Sequence, residues 1–168
     1  NDPELLALAG AVFMQNGDVD SAIAYYEKAA ARDPKQPRTK TALALAHLRK
    51  GDTERGLADL EQAAHTDTGT SADMALIATY LRQREFDKAL RAIDALQSKQ
   101  PGSPLPFNIR GGALMVKRDF PGARRSFEQA LELDPGYFPA AANLARLDLA
   151  DKKPEDARKR FEAVLARN

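Results

Sequence analysis

Apolar side chains recur along this chain at helical rather than strand spacing. Tyr26 and Ala29 follow Ala22 by four and seven residues. The same step returns in Gly56, Leu60 and Ala63, in Ala89, Ile93 and Leu96, in Ala123, Phe127 and Ala130, and in Ala157, Phe161 and Val164. Positions i, i+4 and i+7 share one face of an α-helix, so each set predicts an amphipathic helix with its stripe turned toward a core. The leading small residues lie 34, 33, 34 and 34 positions apart, so one residue is missing near Thr66–Ser71. A parallel series, Gly10, Ala44, Ile77, Gly111 and Ala145, is followed three residues later by Phe13, His47, Tyr80, Leu114 and Asp148. Two helices in each period of about 34 residues predict a stack of helix-turn-helix repeats.

Turn signals agree with that period. Gly17-Asp18 and Gly51-Asp52 are 34 apart, as are Pro101 and Pro135. The ten prolines fall at helix starts or between repeats, where a missing N–H breaks no intrahelical bond. Pro3, Pro37 and Pro104 open first helices, Pro121 and Pro154 open second helices, and Pro34, Pro101 and Pro135 close repeats. Ten helices therefore fit, in repeats covering about 3–36, 37–69, 70–103, 104–137 and 138–168.

These residues resemble the tetratricopeptide repeat over essentially the whole chain. The best repeat reads Leu6, Ala9-Gly10, Phe13, Gly17, Ala22, Tyr26, Ala29 and Pro34. The resemblance implies an all-α, right-handed superhelical solenoid of about five repeats. Four positions depart from the pattern: Ile77 for a small residue, Thr68 for the closing proline, Arg110 for a leucine and Asp148 for an apolar residue. Each is expected to loosen its own repeat. Within the last two repeats, residues 108–112 (Asn-Ile-Arg-Gly-Gly) and 137–148 resemble a narrower group, the bacterial repeat lipoproteins found with exosortase/PEP-CTERM sorting and exopolysaccharide systems. That resemblance implies a setting in the bacterial periplasm or cell envelope.

A solenoid needs a polar cap on its last helix. Here Phe161, Val164 and Leu165 stand without a following repeat, and Arg167-Asn168 ends one residue before the expected proline. The opening Asn1-Asp2-Pro3 has no Met, basic segment or apolar leader. Both ends read as cuts in a longer array; the alternative is a capping or self-associating end.

Composition narrows the chemistry. Lys plus Arg is 25 against 24 for Asp plus Glu, a net +1, which argues against a dedicated nucleic-acid binder. No apolar run nears the roughly 18 residues of a membrane span. With no Cys there is no disulfide, thiolate metal site or cysteine nucleophile. Of the two histidines, His47 belongs to a core column and His65 to a helix C-terminus. Glu27, Glu61, Glu128, Glu132 and Glu162 sit among Lys and Arg on solvated helix faces. Gly111-Gly112 lacks the spacing and Lys of a phosphate loop. No catalytic residue, cofactor or metal site is expected, and an enzyme is the least favoured reading.

In tetratricopeptide arrays the first helices line a concave surface. By that resemblance the lining includes Leu8 and Met14 in repeat 1, and Arg38, Leu45, Leu48 and Arg49 in repeat 2. Repeat 3 adds Met74, Leu81 and Arg82, repeat 4 adds Asn108, Gly112 and Met115, and repeat 5 adds Asn143 and Arg146. All three methionines fall on this face, and methionine adapts to irregular partners. An apolar floor fringed by arginine suits a protein or peptide with an apolar face and acidic flanks. Asn143, with Asn108 near it, resembles the asparagines with which other tetratricopeptide proteins hold a peptide backbone. Gly112 has no packing role in the repeat and would let a ligand approach the backbone. The leading reading is a non-catalytic binding scaffold; the alternative is an architectural spacer with no ligand of its own.

Overall fold

The computed structural model describes residues 2–167. Among the described residues there are ten α-helices and no strand. They are α1 (Pro3–Gln15), α2 (Val19–Arg32), α3 (Pro37–Lys50), α4 (Thr53–Thr66), α5 (Ser71–Arg82), α6 (Phe86–Lys99), α7 (Leu105–Lys117), α8 (Phe120–Leu133), α9 (Phe138–Ala150) and α10 (Pro154–Leu165). The chain divides into two compact units, Asn1–Thr79 and Tyr80–Asn168, with the boundary inside α5.

Aspartate side chains set four of the ten helix starts. Asp18, Asp52 and Asp119 accept hydrogen bonds from the backbone N–H of Ser21, Arg55 and Gly122 at 3.0, 3.4 and 2.9 Å, satisfying donors that a helix leaves open in its first turn. Asp2 does the same for α1 through Glu4. Repeats are also closed by aspartate: Asp33, Asp67 and Asp134 accept from the N–H two residues on, at 3.1, 2.9 and 2.9 Å. Asp67 makes this turn with Thr68 in the proline's place. The same hydrogen bond is made beside Pro34 and Pro135, so the turn forms with or without the ring.

In the first unit α1 packs on α2, α2 on α3 and α3 on α4. Ala22 and Ala29 are fully buried, and Tyr26 lies so close to α1 that a Cβ on Gly10 would come within 2.8 Å of its ring. Phe13 stacks on Tyr25 at 5.1 Å. The second unit repeats the scheme, with α6 on α7, α7 on α8, α8 on α9 and α9 on α10. Phe127 is fully buried against Gly111, within a cluster of Ala123, Ala130, Ala140, Leu144 and Leu147.

The remaining departures from the repeat pattern are buried or paired across neighbouring helices. Ile77 is buried. Arg110 on α7 pairs with Asp94 on α6 and donates to Gln97 Oε1 at 3.3 Å. Asp148 is 2% exposed, yet it accepts from Arg124 of α8 at 2.5 Å and from Arg160 of α10 at 2.5 Å. Arg124 also reaches Asp151 at 2.9 Å. One carboxylate on α9 thus ties together the helices on either side of it. At the C-terminal end, Val164 is buried and Phe161 meets Phe138 at 6.0 Å; of the three side chains expected to be uncovered, Leu165 is the one that is exposed. Asn168 lies outside the described residues.

Burial pushes the Asp148 carboxyl up, but hydrogen bonds from Arg160 and Arg124 outweigh it and hold the group below the ordinary aspartate range. A lowered folded value adds stability above the unfolded value near 3.9, and that stability is lost as pH falls through the folded value. Asp148→Asn, which strands two guanidiniums that are only a quarter exposed, should cost about 2–3 kcal/mol at neutral pH. Urea titrations should show this difference constant down to about pH 5 and shrinking below about pH 4.

Candidate functional site

The first-helix face of each unit carries the residues expected to bind. In the first unit Leu8 is 61% exposed, Met74 40% and Leu45 36%, and Arg38 and Arg49 are exposed as well. Leu5 and Val12 extend the apolar surface of α1. An open cleft of about 340 Å3 lies where α1 meets the start of α3, lined by Glu4, Ala7, Ala11, Tyr26, Gln36, Arg38, Thr39 and Ala42. Met14 and Leu48 are half-buried by packing instead of open on the face. Met14 joins the cluster of Ala22, Ile23 and Tyr26, and Leu48 lies against Gly56, where an added Cβ would come within 2.6 Å of its Cγ. Gln36 and Thr39 are lining residues that the repeat pattern did not single out; only their place in the first turn around Pro37 points to them.

In the second unit Leu81 is half-buried and Arg82 exposed. The other five expected residues come together across α7 and α9. Asn143 donates from Nδ2 to Asn108 Oδ1 at 3.0 Å, and Arg146 donates from Nη2 to Asn143 Oδ1 at 3.3 Å. The same Nη2 lies 3.3 Å from Met115 Sδ. Helical spacing explains the grouping: 108, 112 and 115 share one face of α7, and 143 and 146 share one face of α9. Asn108 and Asn143 are 35 residues apart in the chain, one repeat plus one, which sets them opposite each other on neighbouring first helices.

The hydrogen-bond inventory of this patch leans toward donors. Both amide oxygens already accept one bond, whereas among the described residues the Asn108 amide nitrogen makes none and Arg146 keeps most of its five N–H groups. Most of the capacity left to recognise a partner lies in N–H donors, matched by peptide carbonyls or a carboxylate. Beside them, a Cβ built on Gly112 meets nothing within 4 Å, whereas one on Gly111 would enter the Phe127 ring. Met115 is partly buried on the cluster around Phe127.

The histidines stand apart from these faces. His47 is buried in α3 with no hydrogen-bond partner for its Nε2 among the described residues, and His65 is exposed in the last turn of α4. Among the described residues no three His, Cys, Asp or Glu side chains are grouped to hold a metal ion, and no helix is long and apolar enough to cross a membrane.

Paired helices at this period, each with a small residue set against a large one, define a class of protein-interaction scaffold. The tetratricopeptide repeat matches residues 13–73 and 114–168 by one family profile and residues 74–138 by another, and the chain belongs to the tetratricopeptide repeat family. Among curated proteins it is 28% identical over 167 residues to the human protein O-mannosyl-transferase TMTC1, covering 96% of this chain and 19% of that one. The chain thus spans about a fifth of that relative's length. Among solved structures it is similar to yeast Tom70, with TM-score 0.78 and 19% identity over 97% of this chain and 36% of that one. It is also similar to MamA from Desulfovibrio magneticus, with TM-score 0.64 and 16% identity over 98% and 93%. At such identities the structural likeness is one of fold.

The two adjacent glycines of α7 should respond oppositely to alanine. Gly111→Ala should destabilise by about 1–3 kcal/mol, because Phe127 must move. Gly112→Ala should stabilise by up to about 1 kcal/mol, through helix propensity with no clash. Denaturant midpoints of the two variants check both signs.

Proposed function

We propose that the chain is a non-catalytic scaffold that holds a protein or peptide segment on its first-helix faces, with the α7–α9 patch making the polar contact. The observation that carries this is the hydrogen-bonded run Asn108–Asn143–Arg146 beside the open backbone at Gly112. Its unused N–H groups fit an extended backbone, and the uncovered Cα lets that backbone come close. In the first unit, exposed Leu8 and Leu45 with Arg38 and Arg49 support a partner with an apolar face and acidic flanks.

The narrower sequence likeness at residues 108–112 and 137–148 supports a setting in the bacterial cell envelope, beside exosortase sorting and exopolysaccharide export. Fractionation of the source cells checks that setting separately: recovery in the cytosol removes it and leaves the binding role standing.

Peptides selected from a displayed random library against the chain should lose about tenfold or more in affinity for Asn143→Ala/Arg146→Ala, as expected for two lost hydrogen bonds of which one is charge-assisted. Fluorescence anisotropy measures the loss. Unchanged affinity in a folded double variant overturns the patch as the contact. Failure to select any binder favours an architectural spacer.

A further inference from the structure

The cleft between α1 and the start of α3 carries two hydroxyls that the fold does not use. Tyr26 and Thr39 are only 5% and 4% exposed, and both line the cleft. Among the described residues neither hydroxyl makes a hydrogen bond, and neither is sealed from solvent. What each residue leaves open therefore opens on the cleft it lines.

The other repeats show that packing does not require these groups. The position of Tyr26 is taken by Leu60, Ile93, Phe127 and Phe161, and that of Thr39 by Leu5, Ala72, Pro106 and Ala140. Every one of those residues is apolar. A hydroxyl withdrawn from water without a partner weakens a fold. Two of them at one cleft, where the repeat elsewhere uses apolar residues, point to a ligand that pairs with them. The walls leave room for it: Ala7, Ala11 and Ala42 stand where other repeats place residues as large as Met74, Leu45 and Ile109.

The rim decides which chemistry fits. Glu4 and Arg38 are exposed there and form no ion pair among the described residues. A carboxylate would suit the hydroxyls and Arg38 but meet Glu4, and an ammonium would meet Arg38. An apolar side chain would leave both hydroxyls unpaired. A primary carboxamide suits all four groups, because its oxygen accepts two bonds and its nitrogen donates two. Burial pushes the Tyr26 phenol above its ordinary range, so its proton stays available to donate.

We propose that this cleft binds a primary carboxamide, the side chain of an asparagine or glutamine in the segment held on the first-helix face. The inference rests on the binding role proposed above and names the side chain that the first unit selects.

Methyl NMR of the full chain tests it with probes of a single residue. N-acetylglutamine methylamide, added up to about 50 mM, should shift the Ala7, Ala11 and Ala42 methyl signals in a saturable way. The corresponding glutamate and norleucine compounds should bind about fivefold or more weakly. Tyr26→Phe/Thr39→Val removes both hydroxyls and keeps the shape; it should weaken the glutamine probe about tenfold and leave the urea midpoint unchanged or higher. Wild-type methyl signals that do not move overturn the proposal, as does glutamate or norleucine binding as well as glutamine. A double variant that binds like the wild type also overturns it, and so does one with a lower urea midpoint, which would assign the hydroxyls to the fold. The probe does not report on the α7–α9 patch. If it fails while library peptides still depend on Asn143 and Arg146, the carboxamide site falls and the binding role stands.

Discussion

Close approach of paired helices is the constraint on which everything else rests. Tyr26 and Phe127 can be buried only because Gly10 and Gly111 offer no Cβ where their rings lie. Burying a large side chain yields about 1.5–3 kcal/mol, against about 1 kcal/mol for a glycine inside a helix, so the exchange favours the fold in repeats 1 and 4, where the glycine stands. The second-helix positions obey the same rule: Ala22, Ala89, Ala123 and Ala157 are buried, and Gly56 lies against the Ala44 carbonyl and Leu48. A repeat built this way uses its neighbours as its core, which is why the pattern must recur along the chain.

That recurrence has consequences at the surface. Any exposed position recurs at the same place on the next repeat, so unrelated residues become rows. One row is the hydrogen-bonded run across α7 and α9, assembled from Asn108 and Asn143 on adjacent first helices. Another is the series of left-handed positions, Gly17 and Gly51 in the first unit and Arg84, Arg118 and Lys152 in the second. The two rows lie at different places in the repeat, one on the first-helix face and one at the turn between helices. Substitution in one therefore leaves the other intact.

Polar residues within the packing show where a repeat tolerates chemistry. Asp148 occupies the column held elsewhere by Phe13, His47, Tyr80 and Leu114, and it is stable there because Arg124 and Arg160 reach it from both sides. His47, buried in the same column, has no partner for Nε2 among the described residues. Leaving such a group unpaired costs about 1–3 kcal/mol, whereas the Asp148 carboxylate is matched by two guanidiniums.

The amino-acid sequence determined the helices, their pairing and the period. Those follow from local rules: i, i+4 and i+7 apolar spacing, Gly-Asp turn signals, and proline confined to helix starts and the joints between repeats. It also placed Asn108, Gly112, Asn143 and Arg146 on one face, because helical register and repeat offset are both countable along the chain. Side-chain reach between helices was decided only by the tertiary structure. Asp148 and Arg110 read as flaws until Arg124, Arg160 and Asp94 came within bonding distance from residues 12 to 24 positions away. Met14 and Leu48 read as open surface until neighbouring helices half-buried them. Local pattern sets which way a side chain points; what it meets there depends on atoms that the pattern does not contain.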